Sequence, residues 1–362
     1  MIRKYDLWLV FFIIALILFG CFMVLSSSMV MADNRGSYPY SFFFRQLFYV
    51  VLGFVIAYIT CLRIDYHSYQ KQAKLFYILA LFSLIFVLIF GVSRGGATRW
   101  ISVFGLFTIQ PSELVKIVIV ISIADLISKK QKELNLKYNV LIAFATIIIA
   151  AGLIVANDLG TPALIVIVSL IMLFCAGMDK KIIGGAFIAL VFSVAIFILA
   201  APYRFLRVKS YILSFFSNDF ASYQLKQSIN ALGSGGLFGK GIGKSDLKLM
   251  YLPEAHTDFI FPIIGEELGF IGAFVIIVLF VLIYIRGIRI SRNAPDIFSR
   301  YLALGLTLML VLPAISNILI VIGLAPTKGL VLPFISFGGT AMISSMIAGG
   351  ILLNISQYTR RK

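Results

Sequence analysis

The sequence predicts an all-α polytopic membrane protein with ten transmembrane helices. Of its 362 residues, 61% are hydrophobic and only 13% are charged, and the mean hydropathy is +1.03. Soluble proteins are about half apolar and about a quarter charged. Because one spanning helix needs about 20 apolar residues, ten spans leave no room for a large soluble catalytic domain. We therefore treat residues 1–362 as one transmembrane domain.

Apolar runs of spanning length recur along the whole chain. They lie near residues 7–30, 45–62, 75–93, 111–128, 140–157, 162–178, 182–200, 263–285, 301–323 and 338–355. The first run is too long for a signal peptide and lacks a small-residue cleavage site, so we interpret it as a retained anchor. Cys21, Cys61 and Cys175 lie in or at the ends of apolar runs, which predicts neither disulfides nor a zinc site.

The basic residues predict the orientation of these spans. Counted over the short connections, one side of the membrane carries 18 Lys and Arg and the other carries 6. Since cytoplasmic loops carry the excess, we expect both termini to be cytoplasmic. Much of the net charge of +16 then reflects topology, and no nucleic-acid surface is implied.

One large extracytoplasmic loop, residues 201–262, is predicted between the seventh and eighth spans. Its first residues alternate basic and aromatic side chains, a pattern typical of a helix in the membrane interface. Residues 233–243 contain six glycines, which predicts irregular structure. We expect this segment to be mobile until an anionic ligand or a partner orders it.

The glycine-rich segment also contains Lys240 and Lys244. It is not a Walker A loop, because Phe238 occupies the position of the first motif glycine, five residues before Gly243. Two interpretations stay open for it: an ordinary linker, or a basic loop that contacts diphosphate oxygens.

Acidic residues concentrate at the predicted outer ends of the spans, where ionisable groups are costly and typically functional. They are Glu113, Asp158, Asp246, Glu254, Asp258, Glu266 and Glu267. Their simplest common explanation is a polar site that opens outward.

Asp258 is the strongest candidate for chemistry in this set. It follows His256 and precedes Phe259, so its carboxylate is expected where the chain enters the apolar layer. Partial desolvation suits a carboxylate to act as a general base, although Asp258 could instead cap the following helix.

Two other acids have structural alternatives of the same kind. Glu113 follows Pro111 at a helix start and lies three residues from Lys116, so the two charges form either an ordinary surface pair or an interior one. Asp158 precedes Gly160 in a tight turn and is expected to cap the next helix.

Arg99, Trp100 and Lys328 lie in other predicted outer connections. Each alone is typical of a membrane anchor. Together with the acids they would form a site containing both charges, which fits a polyanionic lipid headgroup.

Six blocks resemble the signature blocks of the SEDS family, the shape, elongation, division and sporulation proteins FtsW, RodA and SpoVE. They are residues 96–101, 110–113, 158–161, 251–261, 265–269 and 333–339, in family order and spacing. Residues 253–258 and 325–330 resemble the division branch, FtsW, more than RodA. The departures are Asn157 in place of Pro, and Phe337 and Thr340 in place of Tyr and Ser.

The resemblance implies a peptidoglycan glycosyltransferase that polymerises lipid II at the outer face of the cytoplasmic (inner) membrane, at the division septum. It implies a class B penicillin-binding protein of the FtsI type and divisome membrane proteins as partners, with Asp258 as the catalytic base. The expected substrate-binding residues are Arg99, Trp100, Glu113, Lys116, His256, Lys328, Lys240 and Lys244. No cofactor is required, and a divalent cation, Mg or Mn, is compatible with the chemistry.

Three alternatives stay open. One is a RodA-type elongation polymerase. Another is a lipid II flippase or transporter, although we find no inverted repeat of the kind that many transporters carry. The third is a scaffold that docks a partner helix on the small residues of the last span, but a scaffold would not need the outer acids.

Overall fold

The computed structural model describes residues 5–34, 40–94, 97–103, 107–155, 158–214, 223–248, 256–326 and 329–359. Within these ranges the chain forms thirteen α-helices and one small antiparallel sheet. The helices are α1 (Leu7–Asn34), α2 (Ser41–Leu62), α3 (Tyr66–Lys71), α4 (Ala73–Phe90), α5 (Pro111–Lys130), α6 (Lys137–Val155), α7 (Gly160–Cys175), α8 (Lys180–Leu199), α9 (Pro202–Leu213), α10 (Tyr223–Ser234), α11 (Ile260–Arg292), α12 (Ile297–Val321) and α13 (Gly339–Ser356).

Eight of the described helices are long and apolar enough to cross a membrane, which confirms a polytopic membrane fold. They are α1, α2, α4, α6, α8, α11, α12 and α13. The other two predicted spans correspond to α5 and α7. Helix α7 has only 16 residues, and α5 carries Glu113, Lys116 and Asp125 within its apolar stretch.

Helix α5 lies at the centre of the bundle. It contacts α4, α6, α7, α12 and α13, and Ile119, Ile123 and Ile127 along it are 0% exposed. Protein therefore surrounds most of this helix, which explains how it tolerates charged residues that a lipid-facing helix would not.

The connection between α4 and α5 departs from the all-α prediction. It contains three short strands, β1 (Val92–Arg94), β2 (Ala97–Val103) and β3 (Phe107–Ile109), in the order β1-β2-β3. Both pairings are antiparallel, with Val92 opposite Trp100 and Ile101 opposite Ile109. The β-branched and aromatic residues of β2 favour strands, but the stronger signals of the adjacent spans obscured this short pattern.

Helices α2 and α13 pack closely because glycines line their contact. A β-carbon on Gly350 would overlap Ala57 and the Thr60 side chain, and one on Gly53 would overlap Met346. The small residues of the last span thus serve packing within the chain, as small residues commonly do between membrane helices.

The glycine-rich segment is docked against a break in α11. Gly269 has φ 68° and ψ −167°, so the helix is interrupted there. The N–H groups of Phe270 and Ile271 donate to the carbonyls of Gly236 and Leu237 (2.8 and 3.2 Å). The carbonyls of Glu266 and Glu267 in turn accept hydrogen bonds from the backbone N–H groups of residues 240 and 241 (2.9 and 3.1 Å).

These contacts give the glycines of the segment a packing role. A β-carbon on Gly239 would overlap the backbone of Glu267, and one on Gly235 would overlap Gly265. The glycines therefore permit close backbone approach to α11, and the mobility of residues 201–262 before a ligand or partner binds stays a prediction.

Two glycines of this segment allow a matched test of that close approach. Gly239 and Gly243 share a φ of +82°, but nothing lies within 4 Å of a β-carbon on Gly243. We expect Gly243→Ala to cost about 1 kcal/mol, the price of left-handed backbone alone. Gly239→Ala should cost about 3 kcal/mol or more, because steric overlap adds to the same backbone cost. Thermal unfolding in detergent measures both, and equal losses would contradict the docked loop.

Candidate functional site

The candidate site lies at the end of the bundle where α5, α11 and α13 begin, which we call the site end. Two small clefts flank the start of α5. The first is bounded by α5, α12, α13 and residues 331–333, and the second by α4, β2, α5 and α6. Pro111 occupies the first turn of α5, and the N–H of Gln110 donates to Thr340 Oγ1 (3.0 Å), which fixes this start against α13.

The first cleft contains a buried ion pair. Lys116 Nζ lies 2.9 Å from Glu113 Oε2, and the two side chains are 12% and 9% exposed. Ser344 of α13 donates a further hydrogen bond to Glu113 Oε2 (3.2 Å). The pair predicted from the i, i+3 spacing is therefore present, in its interior form.

The second cleft contains Arg99 and Asp158. Asp158 accepts from the N–H of Gly160 (2.8 Å) and from Thr161 Oγ1 (2.6 Å), which confirms the predicted turn before α7. The N-cap residue of α7 is Leu159, so the prediction that Asp158 caps this helix is wrong by one residue. Arg99 Nε is buried and has no hydrogen-bond partner among the described residues. This cleft therefore combines apolar walls with a guanidinium donor that is available to an anion.

Trp100 follows Arg99 on β2 and is partly buried. Successive strand residues point to opposite faces, and Trp100 is not among the residues that line either cleft. Its predicted role in substrate binding stays a prediction.

Asp258 lies in a turn immediately before α11 and is partly exposed. The N-cap residue of α11 is Phe259, so capping by Asp258 does not explain its position. Its backbone carbonyl accepts from Asn317 Nδ2 (2.8 Å). Its side chain lies over Gly329, where a β-carbon would be 2.8 Å from Asp258 Oδ2.

His256 holds the same turn through aromatic packing. Its ring is 2% exposed and its centroid lies 4.8 Å from that of Phe42 and 5.4 Å from that of Phe337. The N–H of Phe337 donates to the carbonyl of His256 (3.0 Å). The structure thus gives His256 a packing function, and its contact with substrate stays a prediction.

Lys240 is engaged by two carboxylates. Its Nζ lies 2.6 Å from Asp246 Oδ2 and 2.7 Å from Glu266 Oε1. The hydrogen bond to the Asp246 carboxylate, and then the one to the Glu266 carboxylate, raise the pKa of Lys240. Glu266 also accepts from Ser245 Oγ, so this cluster fastens the glycine-rich segment to α11.

The remaining predicted site residues are placed differently. Lys244 is exposed and makes no ion pair with any residue that the structure describes. Glu267 accepts from Ser26 Oγ of α1 (2.9 Å). Glu254 and Lys328 lie outside the described residues, although Gly329, next to Lys328 in the chain, contacts Asp258.

The described part of the chain contains no group of three or more His, Cys, Asp and Glu residues that could hold a metal ion.

Two residues of the site escaped the sequence analysis. Asn317 interrupts an apolar run, the same signal that singled out the acids, and could have been found in that way. Ser344 was noted only as a small residue, and nothing local indicates that it contacts Glu113.

Comparison with known proteins agrees with this architecture. The profile of the FtsW, RodA and SpoVE cell cycle proteins matches residues 7–361. A probable peptidoglycan glycosyltransferase FtsW from Trichlorobacter lovleyi is 41% identical over 360 residues, covering 98% of this chain and 94% of that protein. Stage V sporulation protein E of Bacillus subtilis is 39% identical over 361 residues, covering 98% of both.

A similar fold occurs in a structure of a peptidoglycan synthase complex that coordinates polymerization and crosslinking. One chain of it superposes with a TM-score of 0.78 at 23% identity, over 98% of both chains. The chain described here belongs to the FtsW/RodA/SpoVE family of cell cycle proteins.

Proposed function

We propose that this protein is a peptidoglycan glycosyltransferase that polymerises lipid II during cell division. The observation that carries the proposal is the Asp258 turn, which holds a partly exposed carboxylate at the site end next to Gly329. The 41% identity to a protein named as a probable peptidoglycan glycosyltransferase FtsW supports both the reaction and the division role.

The reaction joins two sugars and releases a diphosphate. The 4-hydroxyl oxygen of one glycan attacks the anomeric carbon of another, and the bond from that carbon to undecaprenyl diphosphate breaks. Asp258 accepts the hydroxyl proton as the new bond forms. The negative charge that grows on the leaving diphosphate requires nearby cations.

The geometry ranks the cations for this role. Arg99 stands first, because its Nε lacks a hydrogen-bond partner among the described residues. Lys116 forms an ion pair with Glu113, and Lys240 forms ion pairs with two carboxylates. Each lysine must therefore give up a carboxylate partner before it can contact phosphate. Lys244 and Lys328 complete the set. A divalent cation, Mg or Mn, would supply further neutralisation of the diphosphate.

We infer a class B penicillin-binding protein of the FtsI type as the transpeptidase partner, with other divisome membrane proteins at the septum. The fold shared with a chain of a peptidoglycan synthase complex supports this assignment. No observation on the described residues favours a RodA-type elongation role or a lipid II flippase over the division polymerase.

The proposed topology has ten spans, with α5 and α7 crossing beside the eight apolar helices. Both termini are cytoplasmic, and residues 201–262 form the large outer loop of a single domain. Helix α9 supports an interfacial start to this loop, because Phe205, Leu206 and Ile212 are exposed beside its basic residues.

Labelling of single cysteines tests this topology. In a cysteine-free background, Lys244→Cys should react with a membrane-impermeant maleimide added to intact cells. Lys132→Cys, in the connection between α5 and α6, should react only after the membrane is opened. Both positions are exposed, so the reverse pattern would mean that the orientation is inverted.

Asp258→Asn should abolish polymerisation, because an amide cannot accept the proton. We expect the rate of lipid II polymerisation to fall by more than about 100-fold, the usual range for loss of a general base, with little change in thermal stability. The control is Asp125→Asn, which removes a carboxylate near the opposite end of α5. Long glycan made by Asp258→Asn at close to the wild-type rate would show that another group is the base.

The Glu113–Lys116 pair should behave as a buried ion pair. Glu113→Gln or Lys116→Met leaves one charge without its partner and should cost about 3 kcal/mol, whereas the double variant should cost less than the sum of the two. The control pair is Asp125–Lys129, whose lysine is 61% exposed and whose coupling should be about 0.5 kcal/mol. A double-mutant cycle on thermal stability measures both couplings, and additive losses at Glu113 and Lys116 would contradict the buried pair.

A further inference from the structure

We propose that Asn317 is a positioning residue for the glycosyl transfer, because it holds the Asp258 turn and the segment around Leu330 on one nitrogen atom. This inference rests on the proposed function, in which Asp258 is the base. Asn317 lies in α12 and is 1% exposed. Its Nδ2 donates to the carbonyl of Asp258 (2.8 Å) and to the carbonyl of Leu330.

The geometry requires an amide at this position. Two backbone carbonyls from distant parts of the chain converge on one atom, and a single nitrogen with two hydrogens satisfies both. An ionised aspartate of the same shape would present only acceptors to two acceptors, and a protonated one would offer a single donor. A leucine would leave both carbonyls without this donor, and a buried polar group without a partner is costly.

Neither carbonyl belongs to a regular helix. Asp258 lies in the turn before α11, and Leu330 lies in the irregular segment between α12 and α13. Asn317 is therefore the point at which both irregular segments attach to the rigid helix α12. Both hydrogens of this buried amide are bonded, whereas its Oδ1 is buried without a partner among the described residues, so the two bonds of Nδ2 must offset the cost of burying the side chain.

Asn317 and the two carbonyls that it binds form a clamp, which acts directly on the position of the Asp258 carboxylate. Asp258 Oδ2 lies so close to Gly329 that a β-carbon there would be 2.8 Å away. The carbonyls of residues 258 and 330 are held together on one atom, so the Asp258 side chain and the Gly329 backbone keep a fixed relation. Proton transfer requires heavy atoms about 2.6–3.2 Å apart, and misplacement by about 1 Å can cost about 100-fold in rate.

The chain contains a natural control for this clamp. Asn354 Nδ2 donates to the carbonyls of Cys61 and Ile64 (2.7 and 2.8 Å), and Asn354 is 3% exposed. It joins the end of α13 to the end of α2, at the opposite end of the bundle from Asp258. Replacing either asparagine removes an amide donor shared by two backbone carbonyls, but only one change lies near the candidate base. At the control site Gln357 Nε2 also donates to the Cys61 carbonyl (3.0 Å).

The test compares Asn317→Asp with Asn354→Asp in the full chain, together with its transpeptidase partner and lipid II. We expect both variants to lose thermal stability, Asn354→Asp less so because Gln357 Nε2 still donates to the Cys61 carbonyl. Asn317→Asp should lower kcat for polymerisation by about 100-fold with a KM within about threefold of wild type, as expected for a misplaced base. Asn354→Asp should keep kcat within about threefold of wild type. Equal losses of kcat in the two variants would show that the loss of kcat reflects lost stability, and this result would overturn the proposal.

A second readout does not depend on activity. Amide hydrogen exchange should accelerate at residues 256–259 and 329–333 in Asn317→Asp, and near residues 61–65 in Asn354→Asp. If the first two segments remain protected, the clamp does not exist. If they open and kcat is unchanged, the clamp does not position the base.

Two further variants complete the design. If Asn317→Asp fails to fold, Asn317→Leu removes both donors without adding a charge, and the same outcomes apply to it. Activity in Asp258→Asn would refute Asp258 as the base, whereas the exchange data would still report whether Asn317 holds the two segments. Failure of the proposed function and failure of the clamp are therefore distinguishable.

Discussion

Backbone groups that are freed where a helix breaks or ends inside a membrane protein must find partners within the chain, since hydrocarbon offers none. The interruption of α11 at Gly269 shows how strongly this requirement shapes the structure. The N–H groups of Phe270 and Ile271 donate hydrogen bonds to carbonyls of the glycine-rich segment. The same requirement explains Asn317 and Asn354. Asn317 satisfies two carbonyls outside regular helix, and Asn354 satisfies one in the last turn of α2 and one just beyond it. In these described segments, another element completes the hydrogen bonds of the irregular backbone.

Charged side chains are satisfied within the chain in the same way, by ion pairs. The charged groups that remain unpaired are then the candidates for chemistry. Glu113 is paired with Lys116, Glu266 with Lys240, and Asp6 with Arg286. The first pair lies within α5 and the other two join different parts of the chain, and all three reduce the cost of burying charge. Arg99 stands apart, because the described residues offer no partner to its Nε. Among the described residues, the site end thus combines paired charges with a guanidinium whose Nε has no hydrogen-bond partner.

The sequence predicted the features that follow from local spacing. Apolar runs located the helices, the three-residue separation of Glu113 and Lys116 predicted their contact, and Asp158 before Gly160 predicted a turn. Features that depend on distant residues were not predictable in this way. The spacing of glycines in residues 233–243 fits both a mobile linker and a close backbone contact, and only the position of α11 decides between them. The two carbonyls that meet at Asn317 are likewise far apart in the chain.

The central position of α5 bears on how the chain enters the membrane. A charged residue near the middle of a spanning helix raises the cost of insertion by about 2.5–3.5 kcal/mol, and α5 carries three charged residues within its apolar stretch. The neighbours that shield it include α4, which is synthesised before it, and α12, which begins at residue 297. The contacts of α5 with α12 and α13 can form only after the C-terminal part of the protein has been made. A chain that ends before α12 would therefore leave the charged residues of α5 without part of the protein surface that buries them in the full chain.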